Sequence, residues 1–246
     1  MLNKISQAIA DDWKQDPYYL LAEKSVDFFW GGGGGKIPFF GGFKELDPEN
    51  IVELACGHGR HVPKYMDDAE TVTLVDVNQE NIDFCKQRFS GNPKIRFYLT
   101  TGNNFQGLPD ASYSAIFTYD SMIHFNLIDI ANYINDAWRI LKPGGRILFH
   151  HSNYYGAEPG NFYFQNPGGH NFCSDRIFAH LATVAGFKVL SQDLIDVDTG
   201  TGVVKGLGCL SLCEKTDEYF STCEKAREAR TAHAVALIRE KMKQKR

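Results

Sequence analysis

The sequence predicts an α/β fold in which a mainly parallel sheet carries helices on both of its faces. Short apolar runs of strand length alternate with helix-length segments over residues 51–213, and this alternation is typical of parallel strands joined by right-handed helical crossovers. A turn with glycine at Gly57 and Gly59 directly follows the first strand. In sheets of this kind, ligands bind beyond the carboxyl ends of the strands, and we expect the functional site there.

The strands are predicted at short apolar runs, and the helices at longer segments with apolar residues three and four positions apart. The seven predicted strands are residues 51–55, 71–75, 95–99, 114–119, 146–150, 188–194 and 209–213. Helices are predicted from about residue 60 and over residues 78–89, 127–141 and 174–185. The third of these should stop at the turn over residues 142–145, where Pro143 and two glycines follow.

Residues 1–50 are predicted to form a helical extension in front of the first strand. An amphipathic helix carries Leu2, Ile5, Ile9 and Trp13 at helical spacing, and an aromatic helical stretch follows over residues 18–30. This stretch either covers the core or acts as a lid over a bound ligand. The five glycines at 31–35 form either an artificial flexible linker or a native loop that opens and closes.

Length and composition favour one domain with terminal additions. The 246 residues carry a formal net charge of −4, which gives no general attraction to nucleic acid or to an anionic membrane. No apolar run approaches membrane-spanning length, and the six cysteines show neither zinc spacing nor a disulfide framework. We therefore expect a cytoplasmic protein without a metal, with residues 51–215 as the ligand-binding domain and residues 216–246 as a charged helix and tail.

The residues around the glycine turn favour a nucleoside-type ligand with a positive charge. A pyrophosphate dinucleotide would need a third glycine three residues after Gly59, and Val62 stands there, which argues against an NAD-dependent oxidoreductase. Glu53 lies inside the otherwise apolar first strand, where a carboxylate is costly unless it meets a cation or hydrogen-bond donors. Asp76 ends the second strand, where it either accepts hydrogen bonds from both ribose hydroxyls or caps a turn.

This pattern resembles the class I S-adenosylmethionine-dependent methyltransferases, whose first motif is an acidic residue followed by a Gly-x-Gly turn. Glu53, Gly57 and Gly59 match that motif. The resemblance implies a Rossmann-like sheet of seven strands, with the seventh strand antiparallel between the fifth and the sixth. It also implies S-adenosylmethionine as the cofactor. The residues expected to bind it are Glu53, Ala55, Gly57, Gly59, Asp76, Val77, Asn103, Asn104 and Tyr119.

Two positions in this set depart from the family or leave a choice open. The family usually has an aspartate after the third strand, in contact with the adenine amino group, whereas this chain has Asn103 and Asn104. An asparagine still offers a carbonyl acceptor and a neutral donor. Which of the two asparagines makes the contact stays open.

Polar side chains also follow the fourth and fifth strands. Asp120 and His124 come after the fourth strand, whose end faces both methyl donor and acceptor in the resembled family. We predict His124 as a general base, with Asp120, His150 or His151 as its orienting partner, although each also has a purely structural interpretation. Because successive strand residues point to opposite faces, at most one of His150 and His151 faces the site.

Three short motifs resemble those of a more specific group of methyltransferases. Residues 119–124, 148–153 and 169–174 are similar to motifs of methyltransferases encoded among surface-polysaccharide and glycan-modifying enzymes. This similarity implies O-methylation of a sugar, a nucleotide sugar or a phosphoryl-linked glycan precursor, for example in capsule biosynthesis. The alternatives are a different small-molecule acceptor, through nitrogen or a phosphoryl oxygen, and a cofactor-binding module without catalysis.

Overall fold

A computed structural model of the protein describes residues 4–14, 18–32, 37–156, 161–216 and 218–243. The strands are β1 (Asn50–Leu54), β2 (Thr71–Asp76), β3 (Ile95–Leu99), β4 (Tyr113–Thr118), β5 (Leu141–Ser152), β6 (Phe187–Asp198) and β7 (Val203–Lys215). The α-helices are α1 (Lys4–Asp12), α2 (Tyr18–Lys24), α3 (Phe39–Phe43), α4 (Gln79–Arg88), α5 (Leu127–Ile140), α6 (Asp175–Val184) and α7 (Glu218–Lys243).

The seven strands form one sheet in the order β3-β2-β1-β4-β5-β7-β6. Strands β1 to β5 run parallel to one another, and β7 runs antiparallel between β5 and β6. All six residues of β4 are buried, because helices cover both faces of a parallel sheet. The predicted fold class is confirmed, including the antiparallel last strand.

Two apolar clusters, one on each face of the sheet, make up the core. Val52 and Leu54 of β1 pack with the buried face of α5 in one cluster, while Ile51 packs with Phe39 and Phe117 in the other. Successive residues of a strand point to opposite faces. The side chains of Ile51 and Glu53 therefore share a face, and this placement matters for Glu53 below.

The structure differs from the predicted elements at three points along the domain. The helix predicted from residue 60 is a single 3₁₀ turn, Val62–Lys64, with a proline at its second position. Strand β5 begins at Leu141, immediately after α5 and five residues before the predicted start. Strands β6 and β7 extend well beyond the predicted limits as a long antiparallel hairpin, since neighbouring strands can continue pairing where the sequence is polar.

The aromatic stretch of the N-terminal extension is not one helix. Helix α2 ends at Lys24, and Phe28–Gly32 forms a distorted turn in which Trp30 and Gly31 have non-helical backbone angles. The short helix α3 was not predicted from the sequence, because its Phe-Phe-Gly-Gly-Phe composition carries no helical periodicity. Leu2 and the glycines at 33–35 lie outside the described residues.

Helix α7 is exposed at every position whose side chain the structure describes. The ring of Phe220, near its start, packs edge-on against Trp138 of α5 at a centroid distance of 6.3 Å. The basic end of the sequence, Lys245 and Arg246, lies outside the described residues. None of the described helices combines the length and apolarity that are needed to cross a membrane.

Candidate active site

The turn after β1 is a stretch of left-handed backbone held between two aromatic rings. Ala55, Gly57 and Gly59 have φ angles of 56°, 52° and 69°, a region in which side chains are strained and glycine is not. A Cβ atom on Gly57 would lie 2.5 Å from the ring of Tyr19, and one on Gly59 would lie 2.7 Å from the ring of Phe89. The prediction that this turn needs glycine at both positions is confirmed.

Asp76 at the end of β2 ties the glycine turn to the sheet. Its carboxylate accepts hydrogen bonds from the backbone N–H groups of Gly57 (2.9 Å) and Asn78 (2.9 Å) and from the side chain of Asn81 (3.2 Å). Burial raises the pKa of Asp76, and these donors act against the rise because they favour the ionised form. Asp76 therefore places carboxylate oxygens between the turn and the first residues of α4.

A cavity, which we call the central cavity, lies beyond the carboxyl ends of β1, β2 and β4. Leu54 and Ala55 form part of its largely apolar wall. The carboxylates of Asp76, Asp120 and Asp129 also line it, whereas no lysine or arginine is among its lining residues in the described part of the chain. Asp120 is paired with Arg60, but Asp76 and Asp129 have no lysine or arginine partner among the described residues, and these two carboxylates favour a ligand that itself carries positive charge.

Helices α1 and α2 cover the central cavity on the side away from the sheet. Trp13, Tyr18 and Tyr19 of this extension line the cavity. The side chain of Asn78 donates a hydrogen bond to the backbone carbonyl of Ala10 in α1 (3.0 Å). The extension is thus bonded directly to the loop that follows Asp76, and its aromatic rings complete the cavity wall.

Asp120, the residue that follows Tyr119 after β4, is held by a buried ion pair. Its backbone has a φ of 63°, and its carboxylate accepts hydrogen bonds from the Tyr18 hydroxyl and from the Arg60 guanidinium, the latter at 3.2 Å. Burial by itself would raise the pKa of Asp120, but Arg60 and the neighbouring His150 hold it at about 2. Asp120 is therefore an ionised, paired carboxylate and a poor proton acceptor at neutral pH.

His124 has the geometry of a neutral general base. It lies on the 3₁₀ turn Met122–His124, and its Nδ1 is 2.8 Å from the carbonyl oxygen of Gly169. A carbonyl only accepts hydrogen bonds, so Nδ1 carries the proton and Nε2 has a free lone pair. Burial lowers the pKa of His124, and the Gly169 carbonyl acts against this. Its ring stacks on Trp13 at a centroid distance of 4.7 Å.

A second cavity adjoins the central one, and we call it the histidine cavity because His124, His150 and His170 line it. Asp120 and His124 line both cavities. The histidine cavity also reaches Thr199, between β6 and β7. The two cavities thus meet at the end of β4, and His124 faces both.

The two adjacent histidines of β5 point to opposite faces of the sheet, as strand geometry requires. His150 lines the histidine cavity. His151, in contrast, is fully buried under α6, where its ring stacks on Phe178 at 4.0 Å and its Nε2 lies 2.8 Å from the Ser211 hydroxyl. The structure therefore corrects the interpretation of His151 as a catalytic or orienting residue, because it has no access to either cavity.

Asp120 does not orient His124 through a hydrogen bond between their side chains. Its backbone N–H donates instead to Nδ1 of His150 (3.2 Å), and the tautomer of His124 is set by Gly169. Asp120 therefore contacts His150, through its backbone N–H, and not His124.

Glu53 lies away from the central cavity, on the opposite face of the sheet. Its carboxyl group accepts a hydrogen bond from the Tyr65 hydroxyl (2.7 Å), and burial raises its pKa to about 7. Glu53 does not line the central cavity. The structure therefore supplies a hydrogen-bond donor, rather than a ligand cation, as the partner that this buried carboxylate needs.

Five other predicted cofactor residues also lie outside the central cavity. Two of them are Gly57 and Gly59, which face the rings of Tyr19 and Phe89. Tyr119 packs between Phe39 and His150, with ring centroids 4.4 Å and 4.7 Å away. Asn103 and Asn104 line a shallow open pocket on the outer surface next to α5. The segment after β3 reaches the central cavity through Thr100 and Gly102 instead, because the loop turns outward after Gly102.

Sequence reasoning missed several residues that line the two cavities or, like Arg60, pair with a residue that does. Arg60 directly follows the glycine turn, and a charge next to a ligand-binding turn is a signal that could have singled it out. Asp129 is an ordinary first-turn acidic residue of a helix, and nothing in its sequence context distinguishes it. His170 lies in the motif of residues 169–174, but no role in the site was predicted for it from the sequence. The described residues contain no group of three or more His, Cys, Asp or Glu side chains suited to a metal ion.

Comparison with known proteins agrees with this geometry. Residues 51–145 match the family of methyltransferase domains. The matched segment runs from β1 to the start of β5 and contains the glycine turn, Asp76 and His124.

The relatives that match this chain in sequence include enzymes with different acceptors. A probable S-adenosylmethionine-dependent methyltransferase of Mycolicibacterium smegmatis is 26% identical over 157 residues, which are 63% of this chain and 58% of that protein. A fatty-acid O-methyltransferase of the same organism is 24% identical over 68% of this chain and 54% of that protein. A demethylmenaquinone methyltransferase of Tropheryma whipplei is 27% identical over 41% and 40%. The chain spans about half the length of the curated relatives it matches.

Solved structures show the same fold at low sequence identity. A putative methyltransferase of Haloferax volcanii, solved in complex with the Trm112 methyltransferase activator, superposes with a TM-score of 0.60 at 15% identity, covering 85% of this chain and 97% of that one. An S-adenosylmethionine-dependent methyltransferase of Methanosarcina mazei gives 0.53 at 17% identity, covering 71% and 96%.

The domain match implies S-adenosylmethionine as the cofactor, and the central cavity fits this molecule. The sulfonium and ammonium groups of the cofactor are positive, which suits a wall where Asp76 and Asp129 have no lysine or arginine partner among the described residues. Of the glycine turn, Ala55 lines the cavity, whereas Gly57 and Gly59 face the rings of Tyr19 and Phe89. Asp76 lines the cavity at the end of β2, the position at which an acidic residue meets a ribose in sheets of this type.

Proposed function

We propose that this protein is a methyltransferase that moves the methyl group of S-adenosylmethionine to a hydroxyl oxygen of a small acceptor. The observation that carries the proposal is the junction of the two cavities. His124, with a free Nε2 lone pair, lines both the carboxylate-bearing central cavity and the histidine cavity beside it. A base at the boundary between a donor site and an acceptor site is what methyl transfer to a hydroxyl requires.

The residues that would hold the cofactor are those of the central cavity. Asp76 would accept hydrogen bonds from the ribose hydroxyls, with Val77 beside it, and Ala55 at the start of the glycine turn would lie against the methionine part of the cofactor. Thr100 and Gly102, rather than Asn103 and Asn104, stand closest to the adenine end in this proposal. Helices α1 and α2 would act as a lid, because they cover the cavity and would have to separate from it before a nucleoside could enter.

For methyl transfer, the protein has mainly to hold the acceptor hydroxyl in position and to accept its proton. When bound, S-adenosylmethionine would supply an electrophilic methyl group: its bond to sulfur would break as the bond to the acceptor oxygen forms, with S-adenosylhomocysteine as the second product. His124 takes the acceptor proton on Nε2 as this bond forms, an effect typically worth about 10²–10⁴ in rate. Gly169 keeps Nδ1 protonated, so that the lone pair stays on the nitrogen that faces the cavities. Trp13, stacked on the imidazole, limits the movement of the ring.

For the acceptor we propose a sugar, a nucleotide sugar or a related glycan precursor. Support comes from the resemblance of residues 119–124, 148–153 and 169–174 to glycan-modifying methyltransferases. Those three segments contain His124, His150 and His170, the histidines of the second cavity. A role in surface-glycan biosynthesis and a cytoplasmic location belong to the same proposal.

The first test is calorimetric titration of the protein with S-adenosylhomocysteine. We expect binding to the parent protein, and a loss of at least tenfold in affinity for Asp76→Asn, which corresponds to about 1.4 kcal/mol. Asp83→Asn is the matched control, because this aspartate lies on α4 with its side chain 59% exposed, and its binding should equal that of the parent. Absence of binding to the parent, or binding of NADH instead, would overturn the proposal.

A further inference from the structure

We propose that His170 and His150 form a recognition pair for a second, non-reacting hydroxyl of the acceptor, so that the part of the substrate in the histidine cavity is neutral and carries at least two hydroxyl groups. This inference rests on the proposed function, because it assigns the acceptor chemistry of the same site. It comes from two buried ring nitrogens, on residues lining the histidine cavity, that have no hydrogen-bond partner in the part of the chain that the structure describes.

His170 offers a hydrogen-bond acceptor to the histidine cavity. It follows the turn Pro167–Gly169, in which Gly168 and Gly169 have φ angles of 57° and 67°. Its Nδ1 lies 3.2 Å from the carbonyl oxygen of Gly168, so the proton resides on Nδ1 and the lone pair on Nε2. The residue is 1% exposed, and its Nε2 has no hydrogen-bond partner among the described residues.

His150 offers the opposite group, a donor. Its Nδ1 accepts the backbone N–H of Asp120 at 3.2 Å, so in the neutral ring the proton is on Nε2. This N–H also has no partner within the described chain, and the residue is 3% exposed. Gly208 on β7 makes room for it, since a Cβ atom there would lie 2.6 Å from Nε2 of His150.

One buried acceptor and one buried donor in the same cavity are complementary to a hydroxyl group, which can donate to one nitrogen and accept from the other. Buried polar atoms are almost always paired in folded proteins, and an unpaired one calls for an explanation such as a ligand. His124 requires a separate hydroxyl, the one that is methylated. The cavity therefore accommodates two hydroxyls of one molecule, one at His124 and one between His170 and His150.

The charges around the cavity argue against an anionic group at this position. Asp120 and Asp198 line the histidine cavity, and no lysine or arginine does so within the described residues. The nearby Arg60 is already paired with Asp120. Burial lowers the pKa of His150 to about 3 and that of His170 to about 4, so both rings are neutral at pH 7 and supply no charge for a carboxylate or a phosphate. A phosphoryl group of the acceptor would have to lie outside this cavity.

The test measures acceptor binding to the protein saturated with S-adenosylhomocysteine, by saturation-transfer NMR. The probes are myo-inositol and the methyl glycosides of glucose, galactose and mannose as neutral polyols, with octanoate and hydroquinone as compounds of other classes. We expect at least one polyol to bind and the two others not to compete with it. Titration of S-adenosylhomocysteine into each protein is run in parallel.

Two variants assign the recognition pair. His170→Phe keeps a ring of similar size without the acceptor nitrogen, and Gly208→Ala crowds Nε2 of His150; we expect each to weaken polyol binding at least tenfold while binding of S-adenosylhomocysteine stays within twofold. His180→Phe, at an exposed position of α6, is the control and should bind like the parent.

The outcomes separate the two proposals. If S-adenosylhomocysteine binds but no polyol does, or if octanoate or hydroquinone binds in the cavity, the recognition pair is overturned and the methyltransferase proposal stands. Polyol binding that is unchanged in His170→Phe and Gly208→Ala also overturns the recognition pair. Absence of S-adenosylhomocysteine binding overturns both.

Discussion

Replacing Asp120 by asparagine should reveal how much the buried ion pair with Arg60 stabilises the site. The variant keeps the size and shape of the side chain but removes its charge, which leaves the guanidinium without a counter-ion. The two side chains are only 24% and 11% exposed, so solvent screens their attraction weakly. The pair also includes the Tyr18 hydroxyl, which links it to the covering helix α2.

The magnitude follows from the pKa of the carboxyl group. A pKa of about 2 in the folded protein, against the ordinary 3.8 in the unfolded chain, corresponds to about 2 kcal/mol of stability at neutral pH. Because the folded pKa is the lower one, this contribution is complete above pH 4 and disappears as the pH falls through 2. At pH 3 roughly half of it, about 1 kcal/mol, should remain.

The assay is urea unfolding followed by tryptophan fluorescence, on the parent and on Asp120→Asn, at pH 7, 5 and 3. We expect the variant to be less stable by about 2 kcal/mol at pH 7 and at pH 5, and by about 1 kcal/mol at pH 3. Asp110→Asn serves as control, since Asp110 also pairs with an arginine, Arg139, but its side chain is 74% exposed. An exposed pair of this kind should contribute less than about 1 kcal/mol.

Two results would refute this reasoning. A loss of the same size at pH 7 and at pH 3 would show that the charge of Asp120 is not responsible. A loss at pH 7 no larger than that of Asp110→Asn would show that burial does not strengthen the pair with Arg60.

Two further substitutions test the roles assigned above. His124→Gln should lower kcat by about 10²–10⁴ with little change in S-adenosylhomocysteine affinity, and a reduction in kcat of less than tenfold would argue against a base at this position. Because burial lowers the pKa of His124 from its ordinary value of 6.5, kcat of the parent should fall only at pH values below 6.5. Burial raises the pKa of Glu53 to about 7, so the parent loses stability as the pH rises from 4.5 through 7 and this carboxyl group ionises. Glu53→Gln has no charge to bury, and we expect it to be more stable than the parent at pH 8, by up to roughly 3 kcal/mol, but not at pH 4. Urea titrations at both pH values check this, and weaker S-adenosylhomocysteine binding in Glu53→Gln would instead support a cofactor contact.

The parts of the site that the sequence predicted well are those built within a few residues. The turn after β1 needs glycine because its backbone is left-handed and neighbouring rings leave no room for a Cβ atom. Gly57 and Gly59 can be identified directly from the sequence. Asp76 follows from the same local logic, since a polar residue at the end of an apolar strand stands at the edge of the sheet. Strand alternation showed that at most one of His150 and His151 faces the site, but it does not say which.

Contacts between distant segments decided that choice and the rest of the site. His150 faces the cavity because β5 pairs with β4 and β7 in one particular register. The tautomer of His124 depends on Gly169, 45 residues away, and the pKa of Asp120 depends on Arg60, 60 residues away. Glu53 meets Tyr65 instead of a ligand because its face of the sheet turned out to be the one opposite the cavity.

By itself, the sequence determined the α/β architecture, the position of the glycine turn and the strand ends that carry polar residues. Periodicity and glycine placement are local properties, and these features depend on nothing else. Only the tertiary structure decided that α1 and α2 cover the cavity, that three histidines line a second cavity, and which polar atoms remain unpaired there. Such features depend on which side chains meet across the fold, and one-dimensional spacing does not contain that information.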